Sequence, residues 1–229
     1  MLKFYFHHTP NPMKVALFLE ESGLEYEVIP VDTFKGEQHT PAFQAINPNE
    51  KLPAIDDDGT IVFDSNAILL YLAEKTGRFN GIPATRGELL SWLMFIATGV
   101  GPFSGQCVHF TYAHTDSPYA ANRYRREVER HYSVLDNHLA DREFIVGNEY
   151  SIVDIAGWGW FDRATRVLND DNALDATPNL KRWFQSIDAR PAVTQARALS
   201  QKITFKTEFD EETKRSLFPQ NFPPVASAV

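Results

Sequence analysis

The sequence predicts two domains of different class, α/β over residues 1–77 and all-α over residues 85–205. Short β-type runs alternate with helical stretches up to Gly77, whereas from residue 85 onward strand signals vanish and apolar residues recur at helical spacing. The 229 residues are 43% hydrophobic and 13% aromatic, enough to build two cores and too much for a solvated polar chain.

Residues 2–6 form a short apolar run of strand length. Pro12 sits where a first helical residue belongs, with Asn11 before it as N-cap, and the helix runs to about Ser22 with Gly23 as its stop. Residues 26–31 resume β character, so the opening reads as a β-α-β crossover unit, and a short helix follows over 41–46. Residues 53–56 and 60–63 flank Asp57-Asp58-Gly59, whose Asp-Gly pair predicts an antiparallel hairpin. Asp64-Ser65 then caps a periodic helix carrying Ile68, Leu69, Tyr71 and Leu72, closed by Gly77. The order is β-α-β-α-β-β-α.

Residues 78–84 are the linker. Thr85-Arg86-Gly87-Glu88 has the capping-box form and opens a long helix; Ser117-Pro118 opens another, with Ala121, Tyr124, Val128, Leu135 and Leu139 on one face. Ser151-Ile152-Val153-Asp154 is a second capping box ahead of the Trp158, Trp160 and Phe161 cluster. Thr177-Pro178 starts a helix through Leu180, Trp183, Phe184 and Ile187 that ends near Arg190-Pro191. Residues 206–229, with Pro219, Pro223 and Pro224, read as a C-terminal tail that wraps the surface or frays.

Composition narrows the function. The formal charge of −8 argues against nucleic acid, which needs clustered Lys and Arg; the arginines between 123 and 130 are interleaved with Glu127 and Glu129 as on a solvated helix face. No apolar run approaches the ~18 residues of a membrane span. The apolar start is broken by His7-His8-Thr9-Pro10 before it reaches signal length, so a cytoplasmic location is expected. The single cysteine, Cys107, can form neither an internal disulfide nor a Cys-x-x-Cys pair, and the seven histidines include no His-x-x-x-His, so no metal site is expected.

The β-α-β-α-β-β-α order, with Pro53 opening the hairpin and helices following, resembles the cytosolic glutathione transferases. Thr9-Pro10-Asn11-Pro12, Gly36-Glu37-Gln38, the run from Asn47 to Ala54, and Asp64-Ser65 before Ala67-Ile68-Leu69-Leu70-Tyr71-Leu72 are similar to the bacterial nu class. They are also similar to fungal relatives that resemble the yeast nitrogen-regulator prion protein. The likeness continues through Gly101-Pro102, Gly105-Gln106, Arg123-Tyr124 with Glu127, Val134-Leu135-Asp136 and the run from Tyr150 to Ala156, covering about residues 1–200. Two positions depart from the pattern: Asp64 stands where Glu is usual, and Glu50 where Gly or Asn is common. The resemblance implies a thioredoxin-like N-terminal domain ahead of a helical bundle, a homodimer, and glutathione as cosubstrate. It also implies thiol–disulfide oxidoreduction of a small disulfide, ahead of conjugation to an electrophile or peroxidase work.

Candidate site residues follow. Ser65, at a helix N-terminus, suits an anionic carboxylate, and Asp64 can pair with a ligand ammonium; read alone, both are ordinary caps. Gln38 offers an amide contact. By resemblance the Leu52–Pro53 peptide is cis and the Leu52 backbone pairs with the tripeptide. Lys51 is read either as facing the ligand's glycine carboxylate or as a solvated lysine. Arg123 is read either as reaching the site from a partner subunit or as salt-bridging Glu127. Thr9 and Asn11 are the candidate catalytic pair: neither is a base, but each can donate a hydrogen bond to sulfur and, beside a helix N-terminus, lower a thiol pKa from about 8.5. Read alone, Asn11 is an N-cap and Thr9 a loop hydroxyl. His7 and His8 end a strand and are left out of the base role. Phe103, Gln106, His109 and Phe110 line an electrophile pocket or belong to the core, and Cys107 is expected to be a buried inert thiol. Where redox relatives of the fold carry Cys-x-x-Cys, this chain has Thr9-Pro10-Asn11-Pro12, so any reducing sulfur must be borrowed. The rival readings are a glutathione-binding scaffold or regulatory protein without chemistry, and a glutaredoxin fused to a helical adaptor, which would need a cysteine at Thr9.

Overall fold

The computed structural model of the chain describes residues 1–222; Pro223 and Pro224 of the expected tail lie outside the described residues. Strand β1 (Leu2–Phe6) leads into helix α1 (Pro10–Ser22), which Gly23 ends at φ 70°. The helix starts two residues earlier than the sequence suggested, with Thr9 as N-cap and Pro10 in the first position. Proline tolerates any place in a first turn, where no amide proton is needed; the helix therefore accommodates both Pro10 and Pro12, and Asn11 falls inside it rather than capping it.

Strand β2 (Tyr26–Pro30) runs parallel to β1, from Leu2↔Tyr26 to Phe6↔Pro30. A 3-10 turn (Glu37–His39) and helix α2 (Pro41–Gln44) precede the hairpin of β3 (Ala54–Asp57) and β4 (Thr60–Phe63), and α3 (Ser65–Thr76) closes the domain. The sheet order is β2-β1-β3-β4, with β3 antiparallel to β1. Helices α1 and α3 pack together, while Tyr5 meets Phe43 of α2. This is the thioredoxin-like arrangement expected above. Its registers matter for function: Tyr5↔Ala54 and Ala54↔Phe63 put the end of β1, the start of β3 and the end of β4 side by side. Thr9, Leu52–Pro53 and Asp64–Ser65 therefore gather at one end of the sheet.

The helical domain opens with a 3-10 turn (Pro83–Thr85), then α4 (Arg86–Phe95) and α5 (Gly101–Val108), joined by a π-helical turn (Ile96–Val100) and followed by another (His109–Ala113). Thr85 does not cap α4 as expected; its Oγ1 accepts from Ile82 N and donates to Ile82 O, closing the preceding turn instead. Helices α6 (Pro118–His138), α7 (Ile152–Phe161), α8 (Ala164–Leu168), α9 (Pro178–Asp188), α10 (Pro191–Gln201) and α11 (Glu211–Leu217) complete the described chain. The sequence reading had not separated α8, α10 and α11.

Helix α7 is the axis of this domain and is buried along nearly its whole length. The predicted capping box at Ser151 forms: Asp154, fully buried, accepts from Ser151 N at 2.9 Å and Ser151 Oγ at 3.1 Å, and further from Ile145 N at 3.0 Å and Trp183 Nε1 at 2.8 Å. Four donors offset the desolvation of that carboxylate, although burial still raises its pKa. Helix α1 packs on α7 and α10. Gly159 permits the α7 contact, because a Cβ there would stand 2.5 Å from Lys14 Cγ and 2.7 Å from the Pro10 carbonyl oxygen. Glu21 and Arg190 pair across the α10 contact.

Beyond α10 the chain returns across the α/β domain. Phe205 is buried against Phe6 and His7, the Lys206 N–H donates to Asp32 Oδ2 at 2.8 Å, and the Ser216 carbonyl of α11 lies 2.7 Å from His39 Nε2. Phe218 then packs edge-on to His109. Among the described residues no helix is long and apolar enough to cross a membrane.

Candidate functional site

The first corner of the site is the start of α1. Thr9 leaves β1 in an extended conformation (φ −78°, ψ 162°), and its hydroxyl makes no capping bond. In the first turn Pro10 and Pro12 carry no amide proton and Met13 N bonds back to Thr9 O, so the Asn11 N–H is the free backbone donor at the helix's positive end. The Asn11 amide is oriented from the other domain: Trp160 Nε1 of α7 donates to Asn11 Oδ1 at 3.1 Å. An indole can only donate, so Asn11 presents its oxygen to the tryptophan and turns its NH2 group away. Thr9 and Asn11 thus offer a hydroxyl, an amide NH2 and a peptide N–H at one helix N-terminus. Trp160 is itself seated closely over Gly101, where a Cβ would lie 2.9 Å from its Nε1.

The second corner is the turn into β3. The Leu52–Pro53 peptide is cis, and neither the N–H nor the C=O of Leu52 is engaged by the chain among the described residues. Asn47 braces the loop, donating to Lys51 O at 2.6 Å and accepting from Asn49 N at 2.9 Å. Glu50 adopts φ 55°, the left-handed region that favours Gly or Asn, which accounts for this departure from the family pattern being unusual. Its carboxylate is held by His39 Nδ1 at 2.6 Å and Gln44 Nε2 at 2.5 Å, and the His39 bond leads the causes that lower its pKa. The Lys51 side chain is exposed, without an ion pair among the described residues.

The third corner is the start of α3. Asp64 has φ 71°, an uncommon backbone for a non-glycine residue and one often found at ligand sites. Its Oδ1 accepts from Asn66 N at 2.9 Å and Ala67 N at 3.2 Å, and its carbonyl takes Ile68 N; the Ser65 N–H is left over among the described residues. Asp64 therefore caps the helix and, among the described residues, keeps its other carboxylate oxygen free. Beneath Ser65 lies a residue that the sequence reading passed over: Lys14, 1% exposed, whose Nζ is 3.5 Å from Ser65 Oγ. Burial pulls its pKa down to about 7, with the Asp64 charge partly opposing. At a helical position flanked by apolar residues Lys14 carries no local signal; only the α1–α3 packing reveals it.

Two further expected residues have partners of their own within this chain. Gln38 is buried beneath α11, where its Nε2 donates to Ser216 O at 3.1 Å and its Oε1 has no partner among the described residues. Arg123 sits on an exposed face of α6, paired with Glu127 at 2.8 Å, with no contact to the three corners among the described residues. His109 and Phe110, with His114, Lys214, Phe218 and Phe222, surround a cavity of about 420 Å³ between the π-helical turn after α5 and the returning chain. Phe103 packs instead against Tyr124 and His131, and Gln106 is exposed. Cys107 is buried, donates to Val167 O at 3.1 Å, and burial raises its pKa. His7 is pulled down to about 4, chiefly by burial, and is neutral at pH 7.

Residues 2–74 match the family model for the glutathione S-transferase N-terminal domain, and residues 102–191 match that for the C-terminal domain. The chain belongs to the glutathione S-transferase family. Among its relatives is the disulfide-bond oxidoreductase YfcG of Escherichia coli, 44% identical across 86% of this chain and 94% of that one. The glutathione transferase URE2P8 of Phanerochaete chrysosporium, solved with oxidized glutathione, superposes with a TM-score of 0.82 at 32% identity, covering 88% of this chain and 95% of the other. A family member from Pseudomonas fluorescens, solved with two glutathione molecules bound, gives a TM-score of 0.79 at 37% identity, with 85% and 91% covered. The glutathione transferase fold thus has counterparts in proteins solved with glutathione bound.

Proposed function

We propose that this glutathione transferase is a glutathione-dependent disulfide reductase of the nu class, with Thr9 and Asn11 as its catalytic residues. The observation that carries the reading is at the start of α1. The Asn11 amide, a hydrogen-bond donor for a ligand sulfur, is oriented there by Trp160, yet no cysteine stands beside it, and Cys107 is buried in the other domain. The reducing sulfur comes from glutathione. Its γ-glutamyl carboxylate binds at the Ser65 N–H, its ammonium at Asp64, and its backbone along Leu52 before Pro53, with Lys51 near the glycine carboxylate. Gln38, whose Oε1 has no partner among the described residues, adds an amide contact to the ligand.

Thr9 and Asn11 stabilise the thiolate, and each pKa unit of depression corresponds to about 1.4 kcal/mol. The thiolate attacks one sulfur of a small disulfide, forming a mixed disulfide and releasing the other half as thiolate. A second glutathione thiolate then attacks the glutathione sulfur of that mixed disulfide, giving glutathione disulfide and the second released thiol. Two glutathiones are oxidised for each disulfide reduced.

We extend the reading to a cytoplasmic homodimer with domains at 1–77 and 85–205, the linker at 78–84 and a tail at 206–229. Ile61 and Phe63 on β4 and Leu90 and Met94 on α4 are exposed apolar residues that suit burial between subunits, and Arg123 would reach the partner's site. The test is reduction of a small model disulfide by glutathione, coupled to glutathione reductase. The wild type is expected to accelerate it well above background, and Thr9→Ala with Asn11→Ala to lose most of that acceleration. An unchanged double variant would falsify the sulfur site, and a folded wild type with no acceleration would leave conjugation or a binding scaffold.

A further inference from the structure

Lys14 is a full-length amine enclosed by protein, and the described residues give it no carboxylate within ion-pairing distance. Its neighbours can be taken element by element. From its own helix comes the Pro10 carbonyl end of the first turn; from α7, Gly159, which carries no side chain and leaves room for the lysine stem. From α3 come the Ser65 hydroxyl at 3.5 Å and the more distant charge of Asp64. From α10, which also packs on α1, no titratable group acts on it. A buried ammonium with one weak acceptor is poorly paid for by its surroundings. Its head nevertheless points at the hydroxyl of the residue whose N–H stands free at the mouth of the site.

We propose that Lys14 is a positioning residue that takes up a proton when the γ-glutamyl carboxylate binds at Ser65, supplying from below the counter-charge this anion lacks. The inference rests on the glutathione reading above. A carboxylate hydrogen-bonded at Ser65 lies two hydrogen-bond lengths from Nζ, on the order of 6 Å, across protein rather than water. An opposite charge at that range favours the ammonium and reverses the burial that holds Lys14 near pKa 7 in the free protein. Ser65 Oγ, accepting from Lys14, keeps its own proton to donate to the ligand.

The experiment is calorimetric titration of the full chain with S-methylglutathione, which has no thiol to ionise, in two buffers of different ionisation enthalpy. At pH 8 binding is expected to take up more than about half a proton, falling toward zero by pH 6. The same peptide without its γ-glutamyl α-carboxylate should take up none. Lys14→Met, close to the lysine in volume, is expected to fold, to lose the uptake and to bind at least tenfold more weakly. Binding by the wild type without proton uptake at pH 8, or uptake that survives in Lys14→Met, overturns the role of Lys14 and leaves the glutathione reading standing. Failure of the folded wild type to bind the peptide at all overturns both.

Discussion

Gly159→Ala tests the packing that joins the two domains at the site. The added Cβ would lie 2.7 Å from the Pro10 carbonyl oxygen, while ordinary van der Waals contact begins at 3.4 Å, so α7 and α1 must part by about 0.7 Å. The Lys14 stem, at 2.5 Å, is equally obstructed and has no free space to move into. A gap of that size forfeits about a quarter to a half of the dispersion energy of each contact along the seam, and overpacking typically costs about 1–3 kcal/mol. Against this, alanine favours a helix interior over glycine by about 1 kcal/mol. Because the obstructing atom is a backbone carbonyl, the overpacking cost falls in the upper half of that range, about 2–3 kcal/mol. The net expectation is a loss of about 1–2 kcal/mol in urea unfolding, together with a lower rate of disulfide reduction, because Trp160 moves with α7 and ceases to hold Asn11. Gly87→Ala in α4, where nothing lies within 4 Å, is the control and should stabilise by up to about 1 kcal/mol. A Gly159→Ala protein as stable as wild type, with the Gly87 control behaving as expected, refutes the seam argument.

Asp154→Ala should cost about 3–5 kcal/mol, since it strands four buried donors, and urea unfolding within 1 kcal/mol of wild type would show that the carboxylate is not the hub of the helical domain. Trp160→Phe keeps the ring packing but removes the indole bond that orients Asn11; the rate of disulfide reduction should drop about tenfold with little change in the KM for glutathione. The lowered pKa of Lys14 gives a pH test of stability. Between pH 7 and 10 the unfolded chain holds the Lys14 proton and the native state does not. Wild-type stability relative to Lys14→Met therefore rises with pH by up to about 1.4 kcal/mol per unit, and is flat below pH 7 where both states are protonated. A difference that stays constant from pH 6 to 9 would mean that the amine is charged throughout.

Much of this molecule is legible in its sequence because local chemistry decides it. Gly23 and Gly77 stop their helices at positive φ, Asp58-Gly59 turns the hairpin, and Ser151 with Asp154 closes a capping box. The misreadings are also physical. Two prolines both suit the first turn of α1, so the sequence alone does not say which begins it, and Thr85 had a nearer backbone partner in Ile82 than the helix it precedes. Contacts between distant residues leave no local trace: Asn11 and Trp160 are 149 positions apart, and Gln38 and Ser216 are 178. The proposed pair of Thr9 and Asn11 was suggested by residue types, but the amide orientation that turns the Asn11 NH2 outward depends on α7.

The crossing segment after α10 also fixes an order of events during synthesis. Asp32, Gln38 and His39 leave the ribosome early, whereas the Ser216 carbonyl that meets Gln38 comes 178 residues later. At about 5–20 residues per second, that interval is on the order of ten to forty seconds. For its duration the sheet and α1 can already be folded while the flank beside Phe6 and His7 faces water, uncovered by Phe205. Covering of this flank is thus a late step of biogenesis, and a nascent α/β domain is more open on that side than the finished protein.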